Sequence, residues 1–274
     1  MRYARGMSDA ARDELTFLPP LTARLARTAA RPRAVAVACV LAITALGWLY
    51  IGLSYDTHAD LLAVICQPSP FGGGLALLIP MWSAMALATM VPSASATILT
   101  YAEIADTAAR KRIDVVSPLV IVAGYVVVWL GFALVASLAQ LALAQAGWLD
   151  PDAGQLDSEI SGALFILAGG YQFTALKHAC LRQCRNPFQF FLSNWQTTPR
   201  GVFRLGVKQG LFCLGCCWAA MLLMFAVGVM NVGWMALLAV AMTTEKLVNV
   251  RWLSHAYGVV LIVVGLILLG VSLG

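Results

Sequence analysis

The sequence predicts an all-α protein, a polytopic bundle of about seven transmembrane helices with the N-terminus in the cytoplasm and the C-terminus outside. Of its 274 residues, 61% are hydrophobic and only 11% are charged, whereas roughly a quarter of a soluble domain is charged. Seven apolar runs approach the length of about 20 residues that a bilayer core requires. The positions of Lys and Arg fit the same number of crossings.

The seven runs are separated by charged or turn-forming segments such as "ARKRIDVVSP" and "GWLDPDAGQLDSE". They cover approximately residues 34–53, 74–99, 118–144, 160–179, 207–229, 232–248 and 255–273. The break "MNVGW" is so short that the fifth and sixth runs must form a tight antiparallel hairpin, with Asn231 and Gly233 suited to the turn.

Charge placement predicts the orientation. With the N-terminus inside, all 18 Lys and Arg fall on the cytoplasmic side, as the positive-inside rule requires. The outside loops carry acidic residues instead: Asp56, Asp60, Asp150, Asp152, Asp157 and Glu159. Residues 1–33 form a basic arm that either lies on the anionic inner leaflet or is disordered. Residues 34–274 form one membrane domain, and its first run is expected to be a retained anchor.

Five of the seven cysteines lie in two short segments, "KHACLRQCRNP" and "LFCLGCCW". The predicted topology places Cys180 and Cys184 at the cytoplasmic end of the fourth run, and Cys213, Cys216 and Cys217 at the cytoplasmic start of the fifth. The cytoplasm keeps thiols reduced, and thiolates select Cu(I), zinc or iron–sulfur clusters. These five thiols are the predicted metal ligands.

Methionines extend the sulfur-rich surface into the bilayer. Met221 and Met224 share a helical face with Cys213 and Cys217, and the second run contributes Met81 and Met85. Thioethers are soft ligands, although methionine is also an ordinary filler of apolar cores.

Polar residues within apolar runs are costly and are therefore functional candidates. Glu245 is expected to pair with Lys177 or Lys208, or to reach water at the interface. His178 could ligate a metal from a distorted helix end, although it does not share a face with Cys180. Two further residues are candidates for hydrogen bonds between helices: Tyr171 and Gln172.

The segment "NPFQFFLSNWQTTPRGVFRLG" is typical of an amphipathic stretch at a membrane interface, below the cysteines. The chain contains no P-loop, GxSxG elbow, HExxH motif or dinucleotide fingerprint. The sequence therefore favours a binding or transport protein over an enzyme. Its basic residues are scattered, which gives no reason to expect nucleic acid as a partner.

Several segments resemble a family of bacterial predicted metal-binding integral membrane proteins: "MWSAMALATMVPSA", "GYVVVW", "GGYQFTALKHACLRQCRNP", "GVKQGLFCLGCCWAAMLLMFAVGVMN" and "TTEK". The family usually has paired methionines where this chain has Thr89 and Met90. The resemblance implies a multi-pass protein of the bacterial inner membrane that binds a metal. It does not identify the metal.

The expected function is binding of a soft transition metal, with Cu(I) preferred and zinc second, for transport or for delivery to a membrane metalloenzyme. Two alternatives remain open. One is a structural or assembly subunit of a membrane complex, with or without a structural zinc, and the other is a membrane thiol oxidoreductase. The expected partners are the lipid bilayer and either another membrane subunit or a metallochaperone.

Overall fold

The fold is almost entirely helical. The computed structural model describes residues 2–3, 32–55, 74–111, 115–149, 155–228, 231–248 and 250–272. In these ranges the helices are α1 (Pro32–Tyr55), α2 (Gly74–Ser93), α3 (Ser95–Arg110), α4 (Pro118–Gln145), α5 (Ser158–Tyr171), α6 (Ala175–Arg185), α7 (Pro187–Asn194), α8 (Pro199–Val227), α9 (Val232–Leu247) and α10 (Arg251–Ser272). Strands β1 (Arg2–Tyr3) and β2 (Val115–Val116) pair antiparallel. Most of the basic arm lies outside the described residues, as do four of the acidic residues assigned to outside loops: Asp56, Asp60, Asp150 and Asp152.

Five helices are long and apolar enough to cross a membrane: α1, α2, α4, α8 and α10. They coincide with the first, second, third, fifth and seventh predicted runs. The prediction of an all-helical chain with membrane-length apolar helices is therefore confirmed. The sixth run forms α9, which has only 16 residues, and the fourth run is divided between α5 and α6.

Two of the predicted runs are interrupted. The second run was expected to continue to residue 99, but α2 ends at Ser93 and α3 begins at Ser95. Pro80 and Pro92 both lie inside α2, and Pro92 weakens its last turn because proline has no backbone N–H to donate. In the fourth run, the Thr174 side chain accepts a hydrogen bond from the backbone N–H of Lys177 and caps the start of α6.

Helices α4 and α8 meet at their backbones. A Cβ atom added to Gly124 would lie 2.2 Å from the carbonyl oxygen of Phe203, and one added to Gly206 would lie 2.2 Å from that of Ile121. Small residues permit this approach between helices in a membrane, where packing rather than the hydrophobic effect drives association. The contact places Tyr125, the neighbour of Gly124, beside the cysteines of α8.

We expect Gly124→Ala to destabilise the protein by about 1–3 kcal/mol, because the added methyl group would overlap with main-chain atoms that cannot move aside. Thermal unfolding of the detergent-solubilised protein measures the change. The matched control is Gly131→Ala, seven residues along the same helix, where a Cβ atom would meet nothing within 4 Å. Equal melting temperatures for the two variants would contradict the close contact.

Glycines also allow close contact between α10 and α5, and the opposite face of α10 is exposed. A Cβ atom on Gly265 would lie 2.6 Å from the carbonyl oxygen of Gly162. On the other side of α10, large apolar side chains are exposed: Val259, Val260, Val263, Leu266, Ile267 and Val271. An apolar surface of this extent suits contact with lipid rather than water.

The segment predicted to be amphipathic forms α7 and the first turns of α8. Phe190 and Phe191 of α7 are buried, while Phe188 and Leu192 are exposed. The Phe191 ring packs on Tyr101 of α3 with ring centroids 5.6 Å apart. Helix α7 is thus anchored on its inner face, while its outer face combines apolar Phe188 and Leu192 with polar Gln189 and Ser193.

Candidate functional site

Three thiols are buried side by side on α8. Cys213, Cys216 and Cys217 have at most 3% of their surface exposed, and their spacing of three and four residues brings them onto one helical face. The Sγ atoms of Cys216 and Cys217 are 3.3 Å apart, and the Cys216 thiol also contacts the carbonyl oxygen of Cys213 at 3.2 Å. We call these three residues the thiol cluster.

Polar groups from three other helices surround Cys213. The Lys246 ammonium of α9 donates to its Sγ atom at 2.9 Å, and the Tyr125 hydroxyl of α4 lies 3.0 Å from the same sulfur. On α2, Ser93 accepts a hydrogen bond from Lys246 at 2.8 Å, and the carbonyl oxygen of Met90 accepts one from Tyr125 at 2.8 Å. The sulfur of Cys213 is therefore held at the meeting point of α2, α4, α8 and α9.

The cysteines of α6 pack against the same part of α8. Cys180 and Cys184 are buried, and Cys184 lies near Cys216. A Cβ atom on Gly215 would lie 2.7 Å from the Sγ atom of Cys180, so the absence of a side chain at this position admits the thiol. Both cysteine segments of the sequence thus lie at one contact between two helices.

A buried ion pair lies next to the thiols. Lys177 of α6 donates to a carboxylate oxygen of Glu245 at 2.8 Å, and the two side chains are 2% and 5% exposed. Lys177 also donates to Gln172, and the Arg185 Nε atom donates to the backbone carbonyl of Glu245 at 2.9 Å. Burial lowers the pKa of the Arg185 guanidinium, while the nearby Glu245 carboxylate opposes that effect. This polar layer ties α6 to the end of α9.

The other residues proposed from the sequence lie at different distances from the thiols. Met221 and Met224 are buried further along α8, and Met81 and Met85 are buried in α2. The polar links from α2 to the thiol cluster are indirect: Met90 contacts Tyr125, and Ser93 contacts Lys246. His178 stacks near His255 of α10, with ring centroids 5.5 Å apart. Tyr171 donates to the carbonyl oxygen of Gly215 and so helps to hold α5 on α8.

A cavity of about 190 Å³ separates parts of α6, α8, α9 and α10, and Cys216, Met242 and Glu245 line it. The Glu245 Oε1 atom is buried and has no hydrogen-bond partner among the described residues. Most of the remaining wall is apolar. The cavity therefore brings one thiol of the cluster and one carboxylate oxygen to a common space.

The donor set suits a soft metal ion that needs few ligands. All six described cysteines are free thiols. In the described part of the chain, no three His, Cys, Asp or Glu side chains converge in a ready-made metal site, because the thiols of α8 contact one another and the backbone instead of a common centre. Cu(I) is bound stably by two or three sulfur ligands, a number that the thiols of α8 can supply. A closed zinc site would need four ligands.

Sequence reasoning missed three polar partners of the thiol cluster: Tyr125, Ser93 and Lys246. Lys246 follows Glu245 directly in the sequence, and a charged residue inside an apolar run is itself a signal. Tyr125 stands in "GYVVVW", where nothing in the spacing links it to a cysteine 88 residues away.

Similarity to known proteins agrees with this chemistry. A search of curated proteins and a search of solved structures each found no match. The family model described as "PpoB2: Copper chaperone" matches residues 79–268, which include every residue of the thiol cluster and its polar partners. This region is more than half of the chain, and the chain therefore belongs to the PpoB2 copper chaperone family.

Proposed function

We propose that this protein binds Cu(I) as cargo at the thiol cluster and delivers it to a copper enzyme in the same membrane. One observation carries the proposal, namely that three reduced thiols lie together in the interior of a chain that belongs to a copper chaperone family. Thiolates prefer Cu(I) to the hard cations, which take oxygen ligands. The ion would be held by two of the three thiols, with the third available for exchange.

The cysteines of α6 would provide the next position for the cargo. Cys184 lies near Cys216, and Cys216 also lines the cavity next to Glu245. An ion that enters or leaves through the cavity would meet Cys216 first. Transfer would then proceed by replacing one sulfur ligand at a time, which suits an ion of low coordination number.

We further propose that the protein crosses the bacterial inner membrane seven times, with its N-terminus inside and its C-terminus outside. The positive-inside distribution supports this arrangement, with α5–α6 and α9 supplying the two crossings that are not single long apolar helices. Both cysteine segments then lie towards the cytoplasm. A reporter enzyme fused behind residue 274 tests the orientation, because an even number of crossings would leave it in the cytoplasm.

The decisive experiment is metal analysis of the purified protein after growth with copper and zinc. We expect about one copper ion per chain, with sulfur as its nearest neighbour in X-ray absorption spectra. Copper should be lost in Cys213→Ser and retained in Cys39→Ser, whose thiol is half-buried in α1.

Other outcomes would favour the alternatives. Zinc that survives mild chelation would indicate a structural subunit. Absence of metal together with redox-dependent labelling of the thiols would indicate electron exchange. Absence of both metal and thiol reactivity would contradict every role proposed for these cysteines.

A further inference from the structure

Lys246 is a buried ammonium whose contacts are a hydroxyl group and a sulfur atom. It is 6% exposed and donates to Ser93 Oγ at 2.8 Å and to Cys213 Sγ at 2.9 Å. A buried charge is costly unless an opposite charge and hydrogen bonds compensate for it. The contacts of Lys246 with Ser93 and Cys213 join α9 to α2 and α8.

The carboxylate nearest in sequence does not neutralise this ammonium. Glu245 is paired with Lys177 at 2.8 Å. These two residues and Lys246 are the charged side chains buried in the described part of the chain. Their charges leave one positive charge in excess, and the groups that can balance it are the sulfurs of the thiol cluster.

We propose that Lys246 determines the metal selectivity of the thiol cluster by supplying the counter-charge for a monovalent ion held by two thiolates. The inference rests on the proposed function and adds a residue to it. A Cu(I) ion bound by two thiolates carries a net charge of minus one, which the ammonium cancels. A Zn(II) ion bound by the same two thiolates is neutral, so the charge of Lys246 would stay uncompensated.

Binding of zinc by all three thiolates would restore the balance, but such a site would still lack the fourth ligand that zinc takes in closed sites. In the bilayer interior an uncompensated charge is felt strongly, because the surroundings screen it poorly. Lys246 thus favours the ion of lower charge without touching it. It is a specificity-determining residue and not a ligand.

Replacement of Lys246 by methionine tests this inference, because methionine keeps a similar length without the charge. The full-length variant is titrated in detergent with Cu(I) against a coloured Cu(I) chelator, and separately with Zn(II) against a coloured zinc chelator. We expect Cu(I) affinity to fall at least about tenfold, while Zn(II) affinity stays the same or rises. Lys246→Arg should retain the Cu(I) affinity, because it keeps the charge.

Lys208→Gln is the matched control, since it removes the same charge from an exposed residue that contacts Asn194. It should leave both affinities unchanged.

Equal Cu(I) binding by the wild type and Lys246→Met would overturn the inference while leaving the proposed function intact. Equal losses for both metals would also overturn it, because they would show a structural role. If Lys246→Met does not fold, Lys246→Arg provides the test. Loss of Cu(I) selectivity in a folded Lys246→Arg would show that the positive charge at this position does not determine selectivity. A wild type that binds no Cu(I) would refute the proposed function, and the inference with it.

Discussion

Replacing Cys213 with serine is expected to lower Cu(I) affinity by more than about a hundredfold. This loss exceeds the range of about 10–100-fold that is usual when a residue supporting a metal ligand is replaced. The Cys213 thiol contacts polar side chains of two other helices, the Lys246 ammonium at 2.9 Å and the Tyr125 hydroxyl at 3.0 Å. A serine hydroxyl is a hard oxygen donor and does not replace a soft sulfur ligand. Competition with a coloured Cu(I) chelator measures the change.

Tyr125→Phe is a milder change at the same site, and its Cu(I) affinity is compared with that of Cys213→Ser. It removes one hydroxyl beside Cys213 and keeps every sulfur ligand, so we expect a loss smaller than that of Cys213→Ser. Cys213→Ser with the affinity of the wild type would show that copper binds elsewhere. A loss in Tyr125→Phe as large as that in Cys213→Ser would indicate that the packing around the site had failed in both variants.

Glu245→Ala is expected to destabilise the protein by about 3–5 kcal/mol, since it leaves the buried Lys177 ammonium without its partner. Lys177 is 1% exposed and therefore cannot turn to water in place of the carboxylate. Its remaining contact with Gln172 is to a neutral oxygen. The free energy of unfolding in mixed micelles measures the loss.

The exposed pair of Asp106 and Arg110 on α3 supplies the control. Their side chains are 3.0 Å apart but are 23% and 80% exposed, so Asp106→Ala should cost only about 0.3–0.5 kcal/mol. The double variant Lys177→Met/Glu245→Leu should recover much of the stability lost in Glu245→Ala, because it buries no unpaired charge. A loss below about 1 kcal/mol for Glu245→Ala would mean that water reaches Lys177.

Hydropathy predicted where most helices lie because the requirement to satisfy backbone groups inside a bilayer leaves few other structures. It did not predict the interruption between α5 and α6, since the segment "YQFT" lies within the fourth run and contains no proline. The interruption after α2 had a visible cause in Pro92. Helix α3 was not predicted as a separate helix, because it depends on packing against neighbours, for example between Tyr101 and Phe191.

The sequence predicted only part of the site. Charge placement suggested that the cysteines around positions 180 and 213 share one side of the membrane, and the structure places Cys184 within reach of Cys216. The partners of Cys213 required the packing of four helices. Ser93 contacts Lys246 although 153 residues separate them in the sequence. Such a contact cannot be predicted from local periodicity.

The distance along the chain between Cys213 and Lys246 has a consequence for biosynthesis. Lys246 follows Cys213 by 33 residues, and chains are synthesised from the N-terminus. The ribosome therefore adds the thiols of α8 to the chain before it adds the ammonium that contacts them. A nascent chain has its sulfur atoms in place first and acquires their counter-charge only when α9 joins the bundle. If Lys246 acts as proposed, the protein becomes competent to hold Cu(I) only in the last steps of insertion, and not when the cysteines appear.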